Sequence, residues 1–330
     1  MIIYPKIKDF PSTKKMICTQ HDFKDYGEEG KAIIQHTSDY PTLRFMGYVK
    51  LHGTNGAIVK YKDQEGFKFQ SRSHEITTEN DNAGFVNYLS KESRLDFFEE
   101  YCKTIAYDSH IALFGEFCGG NIQKGIALNQ LPKMFVAFGL NIDDKWYCTK
   151  LPFDNNQGMY STNNFKTYLA NINFNEPEIA VNEIVKLTKE VESQCPVSKD
   201  FGKEGYGEGI VWTSVNSDGT EQLINFKTVG KKHTESKTKQ LVEVDLELVN
   251  SCKEFVEIVV TENRLNKGLQ YMKEMNLSTD DMKNVKAFMD YIVKDIREEE
   301  MDRITESNLD PKLLYPKINE KAKKWYINNR

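Results

Sequence analysis

From about residue 237 to its end the chain changes character, and only Gly268, Pro311 and Pro316 interrupt it there as helix breakers. Val285, Phe288, Met289, Ile292, Val293 and Ile296 recur at intervals of three and four, the spacing of one helix face. Ser278 or Thr279, followed by Asp280 and Asp281, reads as a helix start. A hydroxyl can cap orphan amides there, and acids favour the positive end of the helix dipole. Upstream the pattern is different, with short β-branched and aromatic runs broken by glycine turns. A chain built this way cannot close one uniform core. It divides into a mixed α and β part, residues 1–236, and a smaller all-helical part, residues 237–330.

Within the first part, residues 41–75 read as a hairpin. Leu43–Val49 leads into a turn at Gly53–Gly56, and Ala57–Tyr61 returns. After the Asp63–Gly66 turn, Phe67–Arg72 alternates apolar and polar residues. Phe85, Tyr88, Leu89, Phe97, Phe98 and Tyr101 predict a helix over 84–105. Strand-like runs follow at 110–116, 134–142 and 145–148, then an amphipathic helix over 178–194 that Pro196 ends. The last strands expected are 209–213 and 223–227.

The composition excludes several classes. Hydrophobic residues make up 39% and charged residues 28% of 330, as in folded water-soluble domains. No apolar run approaches the roughly 20 residues needed to span a bilayer. Met1-Ile2-Ile3-Tyr4-Pro5 lacks a signal-peptide pattern. The six cysteines contain no C-x-x-C pair and the histidines no H-E-x-x-H spacing, so a protein-built zinc site is not expected. The reading is a reduced cytoplasmic protein, cellular or virus- or phage-encoded, without a membrane partner. Net charge is −5, yet Lys227, Lys231, Lys232, Lys237 and Lys239 cluster, as do Lys312, Lys317, Lys321, Lys323, Lys324 and Arg330 around Trp325 and Tyr326. Such patches can neutralise phosphates, although a solvated helix face looks the same in sequence.

Five short motifs follow Lys50 in order: Ser71-Arg72-Ser73, Phe114-Gly115-Glu116-Phe117, Phe135-Val136-Ala137-Phe138, Glu208-Gly209-Ile210-Val211 and Asn225-Phe226-Lys227. Lysine is a weak nucleophile while its ammonium form dominates, with a reference pKa of about 10.4. Burial or a nearby cation such as Lys227 would free its lone pair. Glu116 and Glu208 sit in apolar strand sequence, where a carboxylate needs a sugar hydroxyl, a metal ion or a lysine as partner. Phe138 could stack on a base. Each has a plain explanation when taken singly: a surface lysine, a buried salt bridge, a core aromatic.

Together they are harder to explain away. The order and spacing resemble the covalent nucleotidyltransferase superfamily of ATP-dependent ligases and capping enzymes. The likeness is closest to the branch of T4 RNA ligase 2 and the RNA-editing ligases. That branch's nucleophile motif K-x-H-G-T-N is matched by Lys50-Leu51-His52-Gly53-Thr54-Asn55. Phe114–Phe117 through Gly119, then Ile122-Gln123-Lys124, and Phe135–Phe138 fit the next motifs. The resemblance covers roughly residues 40–235 and carries little weight after 240.

The resemblance implies an α+β nucleotidyltransferase domain of antiparallel sheets flanked by helices, with an AMP pocket between sheets. It implies an ATP-dependent RNA ligase joining 3′-hydroxyl and 5′-phosphate ends through lysyl-AMP and an adenylylated 5′ end. Lys50 would carry AMP, Phe138 stack on adenine and Glu116 bind the ribose. Arg72 would contact the nucleotide and then the RNA 5′-phosphate, with His52 and Asn55 lining that region. Glu208 would organise a divalent metal, Mg2+ with Mn2+ as a substitute, and Lys227 would hold the α-phosphate. The partners would be RNA ends, chiefly nicked duplex RNA bound by the helical domain, and the protein a monomer. Two positions depart from the pattern. Asn225 stands where the last motif commonly has its first lysine, leaving Lys231 or Lys232 to compensate, and Val49 stands where relatives often carry glutamate. The competing readings are a DNA ligase or an mRNA guanylyltransferase, which would usually show an OB-fold after the last motif. The remaining one is a catalytically silent nucleic-acid-binding module.

Overall fold

The computed structural model describes residues 1–27, 32–35, 39–91, 93–105, 108–123, 125–148, 157–215, 221–233 and 241–329. Lys124, Lys237, Lys239 and Arg330 lie outside them. The chain forms two compact units, residues 1–16 with 41–242, and residues 17–40 with 243–330.

The chain begins with β1 (Lys8–Asp9), α1 (Phe10–Asp22), β2 (Phe23–Tyr26) and β3 (Ala32–Ile34). There follow β4 (Thr42–Lys50), β5 (Thr54–Lys60), β6 (Lys68–Gln70), β7 (Glu75–Ile76), α2 (Phe85–Leu89) and α3 (Arg94–Ile105). Next come β8 (Ile111–Cys118), β9 (Met134–Ile142), β10 (Lys145–Tyr147), β11 (Met159–Ser161) and β12 (Thr167–Asn173). Helices α4 (Glu178–Ser193) and α5 (Pro196–Asp200) and strands β13 (Gly209–Val215) and β14 (Glu221–Val229) follow; of all these elements, β2, β3 and α1 from Ile17 onward belong to the second unit and the others to the first.

The fold is α+β, and besides the two-stranded β2-β3 pair it has two mainly antiparallel sheets. One has five strands in the order β1-β14-β13-β4-β12; the other runs β10-β9-β8-β5-β6-β7 with β11 added beside β9. Of the hairpin-like segment expected over 41–75, β5 and β6 do pair antiparallel across the Asp63–Gly66 turn, but β4 and β5 do not pair with each other. β4 pairs with β12 and β13, while β5 pairs with β6 and β8 in the other sheet. The Leu51–Gly53 link therefore carries the chain from one sheet to the other. Alternation along β4 reports which side is buried but not which strand pairs with it. The expected 84–105 helix is likewise two helices, since the chain breaks between Leu89 and Arg94.

Each sheet has one face covered. Ile58, Leu113, Phe117 and Phe135 of the second sheet pack with Phe85 and Phe98 of α2 and α3. On its other face the alternate residues Ala57, Val59, Ala112 and Phe114 pack with Tyr4, Phe138 and Trp146. On the first sheet, α4 buries Ala180, Val181, Ile184, Val185, Thr188 and Val191. Beneath them lies a buried polar chain: Trp212 Nε1 donates to Thr228 Oγ1 at 3.2 Å, and Thr228 shares a 2.7 Å hydrogen bond with Thr188.

The second unit contains α6 (Leu246–Val259), α7 (Glu262–Glu274), α8 (Val285–Glu299), α9 (Met301–Glu306) and α10 (Pro311–Asn328). Phe288, Ile292 and Ile296 of the predicted stripe are fully buried, with Val285, Met289 and Val293 packed beside them. Asp281, rather than Ser278 or Thr279, caps the single 3-10 turn Met282–Asn284 that leads into α8, its side chain accepting from Lys283 N–H, and α8 itself has no side-chain cap. Trp325 stacks on Phe288 at 6.0 Å and Tyr326 is 1% exposed, so both aromatics of the basic tail serve the core. Lys321 of that tail is paired with Glu257 at 2.8 Å. None of the six cysteines, all described, forms a disulfide. Among the described residues no helix is long and apolar enough to cross a membrane.

Candidate functional site

A cleft of about 360 Å3 opens in the first unit between the uncovered faces of its two sheets. From the five-stranded sheet come Tyr48, Val211, Thr213 and Lys227, a consequence of register. Val211 stands opposite both Tyr48 and Lys227, so all three share a face. From the other sheet come Asn55, Phe114, Glu116 and Phe138, and Asn55 pairs directly with Glu116. Lys50 occupies the end of β4, where the chain leaves one sheet for the other, and lines the cleft with Arg72. Six of the predicted residues thus meet there: Lys50, Asn55, Arg72, Glu116, Phe138 and Lys227.

The remaining two, His52 and Glu208, reach the same place through Lys50. Lys50 Nζ lies 2.6 Å from Glu208 Oε1, and His52 Nδ1 lies 3.1 Å from Glu208 Oε2. A carboxylate only accepts, so Nδ1 carries the proton of that bond. Glu208 is 8% exposed. Burial works to raise its pKa, but the bond from His52 and the charge and bond of Lys50 prevail and hold it below its ordinary value. Glu116 behaves oppositely. Burial raises its carboxyl to about 7, against the opposing pull of Lys50 and of the Gly53 N–H, which donates to Oε1 at 2.8 Å. The two carboxylates therefore differ in protonation near neutrality. Glu208 is ionised beside Lys50, while Glu116 is poised between acceptor and donor.

Gly53 is required by close approach, since a Cβ there would collide with the Phe117 carbonyl. Arg72 projects from a turn tied by Ser71, whose N–H donates to His74 O at 2.8 Å and whose Oγ donates to the same oxygen at 3.0 Å.

Asn225 stands opposite Thr213, and its Oδ1 is buried without a hydrogen-bond partner. Neither lysine expected to compensate for it lines the cleft. Lys232 lies over the Tyr206 ring at 3.1 Å, and both Lys231 and Lys232 are exposed.

Sequence reasoning missed part of the wall. Tyr4, Pro5 and Ile7 line the cleft from the N-terminal segment, and Tyr4 meets Phe138 edge-on at 5.0 Å. Thr162 lines it from the turn after β11. No motif marks these residues. Val211 and Thr213 could have been read from the alternation that follows Glu208.

Charge, an aromatic face and two lysines in one cleft suit a nucleotide, whose base needs a stacking surface and whose phosphates need cations. Among the described residues no three of His, Cys, Asp and Glu gather as a metal cage. Two carboxylates stand at the site, Glu116 in the cleft lining and Glu208 beside Lys50, and the ionised Glu208 suits magnesium, an ion that keeps waters and shares phosphate oxygens.

A family model described as RNA ligase matches residues 44–232, a span that includes Lys50, His52, Asn55, Arg72, Glu116, Phe138, Glu208 and Lys227. Among solved structures, the chain is similar to a Naegleria gruberi RNA ligase lysine-to-alanine mutant with ATP and Mn. Identity there is 14% and the TM-score 0.44, over 72% of this chain and 59% of that one. A lysine-to-methionine mutant of the same ligase with AMP and Mn gives 15% and 0.43, over 73% and 59%. The same ligase with PPi gives 14% and 0.42, over 73% and 59%. This chain thus spans about three-fifths of the length of those chains. No curated protein matches it.

Proposed function

This chain belongs to the RNA ligase family, and on that premise we propose that it seals RNA ends with ATP as co-substrate. The observation that carries the reading is the meeting of Lys50 and Lys227 in one cleft with Phe138 and Glu116.

In the first step Lys50 Nζ attacks the α-phosphorus of ATP. The N–P bond forms, the bond to the β-phosphate oxygen breaks, and pyrophosphate leaves. Nζ must shed a proton, and Glu208 Oε1 is an acceptor already in contact at 2.6 Å. Lys227 neutralises the α-phosphate, Phe138 stacks on adenine and Glu116 holds the ribose hydroxyls. Glu208 would also hold a magnesium ion, or manganese, that gathers phosphate charge. His52 fixes the Glu208 carboxylate from its other oxygen. In the second step AMP passes from Lys50 to an RNA 5′-phosphate beside Arg72 and Asn55. In the third a 3′-hydroxyl attacks that phosphate and AMP leaves. Little covalent chemistry is asked of the protein beyond the nucleophile; the rest is placement and charge.

We assign adenylyl transfer to the first unit and duplex RNA binding, chiefly at nicks, to the helical one. The described residues from 241 onward contain helices and turns without strands, which disfavours the OB-fold of a DNA ligase or capping enzyme.

The test is incubation with ATP or GTP labelled at the α-phosphate, followed by nicked duplexes with RNA or DNA on each side of the break. Covalent label from ATP, lost in Lys50→Ala and chased through the adenylylated RNA 5′ end into free AMP as the RNA is sealed, is the expected result. Label from GTP alone, or sealing confined to DNA, overturns the reading.

A further inference from the structure

Among the described residues, several buried polar side-chain atoms have no hydrogen-bond partner, and of these only Thr162 Oγ1 belongs to a residue lining the cleft. Thr162 is 8% exposed. Burying an unpartnered hydroxyl is destabilising, and a valine would fill the same space without that penalty.

The position of Thr162 is well defined. β11 runs parallel to β9 with Ser161 beside Ala137, so the next residue, Thr162, follows alongside Phe138. The turn it begins also touches β4, the strand that ends in Lys50. That turn is held by its own hydrogen bonds. Asn164 Oδ1 accepts the Ser161 N–H at 2.7 Å and the Ser161 hydroxyl at 3.3 Å. A rigid, dry hydroxyl thus stands at the edge of the aromatic wall, where a ring stacked on Phe138 would present its own edge.

We propose that Thr162 reads the edge of the nucleotide base, with Oγ1 accepting a hydrogen bond from the exocyclic amino group of adenine. The inference rests on the ATP reading above and adds to it a specificity-determining contact. Stacking on Phe138 is indifferent to base identity because every base offers a π face. An edge contact is what lets the cleft tell adenine from a purine lacking the amino group. Thr162 takes no part in the bond changes at phosphorus, so its loss affects binding rather than turnover.

The experiment compares wild type, Thr162→Val and Thr162→Ser in the rate of covalent self-labelling. The substrates are α-labelled ATP and α-labelled purine riboside triphosphate, which lacks the 6-amino group. Thr162→Val is expected to raise KM for ATP about three- to tenfold with kcat unchanged, the effect of one neutral hydrogen bond. KM for the analogue should stay constant, so the preference for ATP shrinks by the same factor, while Thr162→Ser keeps it. The ligand-free Thr162→Val protein should melt no lower than wild type. An unchanged ATP-to-analogue ratio in a labelled Thr162→Val protein, or a lowered melting temperature without ligand, overturns the assignment of Thr162 alone. Absence of label from ATP on the wild-type chain overturns the ATP reading and this contact with it.

Discussion

Lys50 and Glu208 meet at 2.6 Å because Gly209, the residue after Glu208, is the cross-strand partner of Lys50. The register of β4 on β13 therefore sets the pair, and Lys50 holds down the pKa of a carboxylate that burial alone would raise. In Lys50→Met that support is gone. The Glu208 carboxyl should titrate higher than in wild type, read by carbon NMR of the labelled side chain, and covalent AMP attachment should vanish while the fold persists. An unchanged Glu208 titration would mean that the pair is not formed in solution.

Glu116 supplies a pH signature of the opposite sign. Its folded pKa, about 7, lies above the ordinary carboxyl value of 4.5. The folded state therefore binds the extra proton between those two values, and stability falls as pH rises through that window. The full effect has an upper limit of about 3 kcal/mol, reduced by whatever solvent reaches the cleft. Urea unfolding of wild type and Glu116→Gln from acid to neutral pH should show this loss in wild type and a flatter curve in the variant. Glu208, with its lowered pKa, contributes stability above its ordinary value and loses it as pH falls further. Parallel curves for wild type and Glu116→Gln would refute the Glu116 assignment.

Much of the cleft was legible because its charged residues sit in short motifs on strands of recognisable period. Glu116 and Phe138 fall where the sequence placed them, on β8 and β9. What the sequence hid was partnership. β4 finds β13 far along the chain, and nothing in the local pattern of Leu43–Val49 distinguishes that from a hairpin with β5. β12 was readable, since Tyr168, Ala170 and Ile172 alternate with exposed residues, but Thr167, Asn171 and Asn173 within it weaken the signal. Tyr4 and Thr162 were not readable at all, because each acts as a single residue brought in by tertiary packing. In the helical unit, Trp325 and Tyr326 look in sequence like part of a basic binding face, whereas Phe288 draws them inward.

Thr228 links the covered face of the first sheet to α4. Thr228→Val leaves the Trp212 indole N–H buried without an acceptor, although Thr188 keeps its 2.7 Å bond to Ile184 O. A loss of about 1–3 kcal/mol is expected, because an unmet buried donor forfeits its hydration. A melting temperature equal to that of wild type would show that water replaces the lost oxygen.

Ion pairs in this chain should differ in worth according to burial. Arg264 is joined to Asp295 at 2.7 Å, to Glu299 at 2.6 Å and to Glu300 at 3.2 Å, and it also donates to Val259 O at 2.8 Å. Arg264→Ala strands the largely buried Asp295 and Glu300, the contact with Glu299 being exposed, and should cost about 3–5 kcal/mol in the helical unit. Lys103 bridges Glu99 and Glu100 on an exposed helix face, and Lys103→Ala should cost less than about 1 kcal/mol. Denaturant midpoints followed by far-UV circular dichroism separate the two, and equal shifts would contradict the burial argument.

Gly53 couples backbone space to the chemistry. Its N–H holds Glu116, and its α-carbon lies against the Phe117 carbonyl with no room for a side chain. In Gly53→Ala the link between β4 and β5 must move outward, which costs about 1–3 kcal/mol as overpacking and lengthens the bond to Glu116. Because that bond pulls the Glu116 pKa down, its loss should raise the pKa further and leave the carboxyl more fully protonated at neutral pH. Self-labelling by ATP should then fall at least about tenfold, since displacements of about an ångström around a reacting phosphate are costly. Raising the pH should recover part of the rate as Glu116 ionises. A variant that labels at the wild-type rate at every pH would show that the Gly53 turn supports the fold without setting the geometry around Glu116.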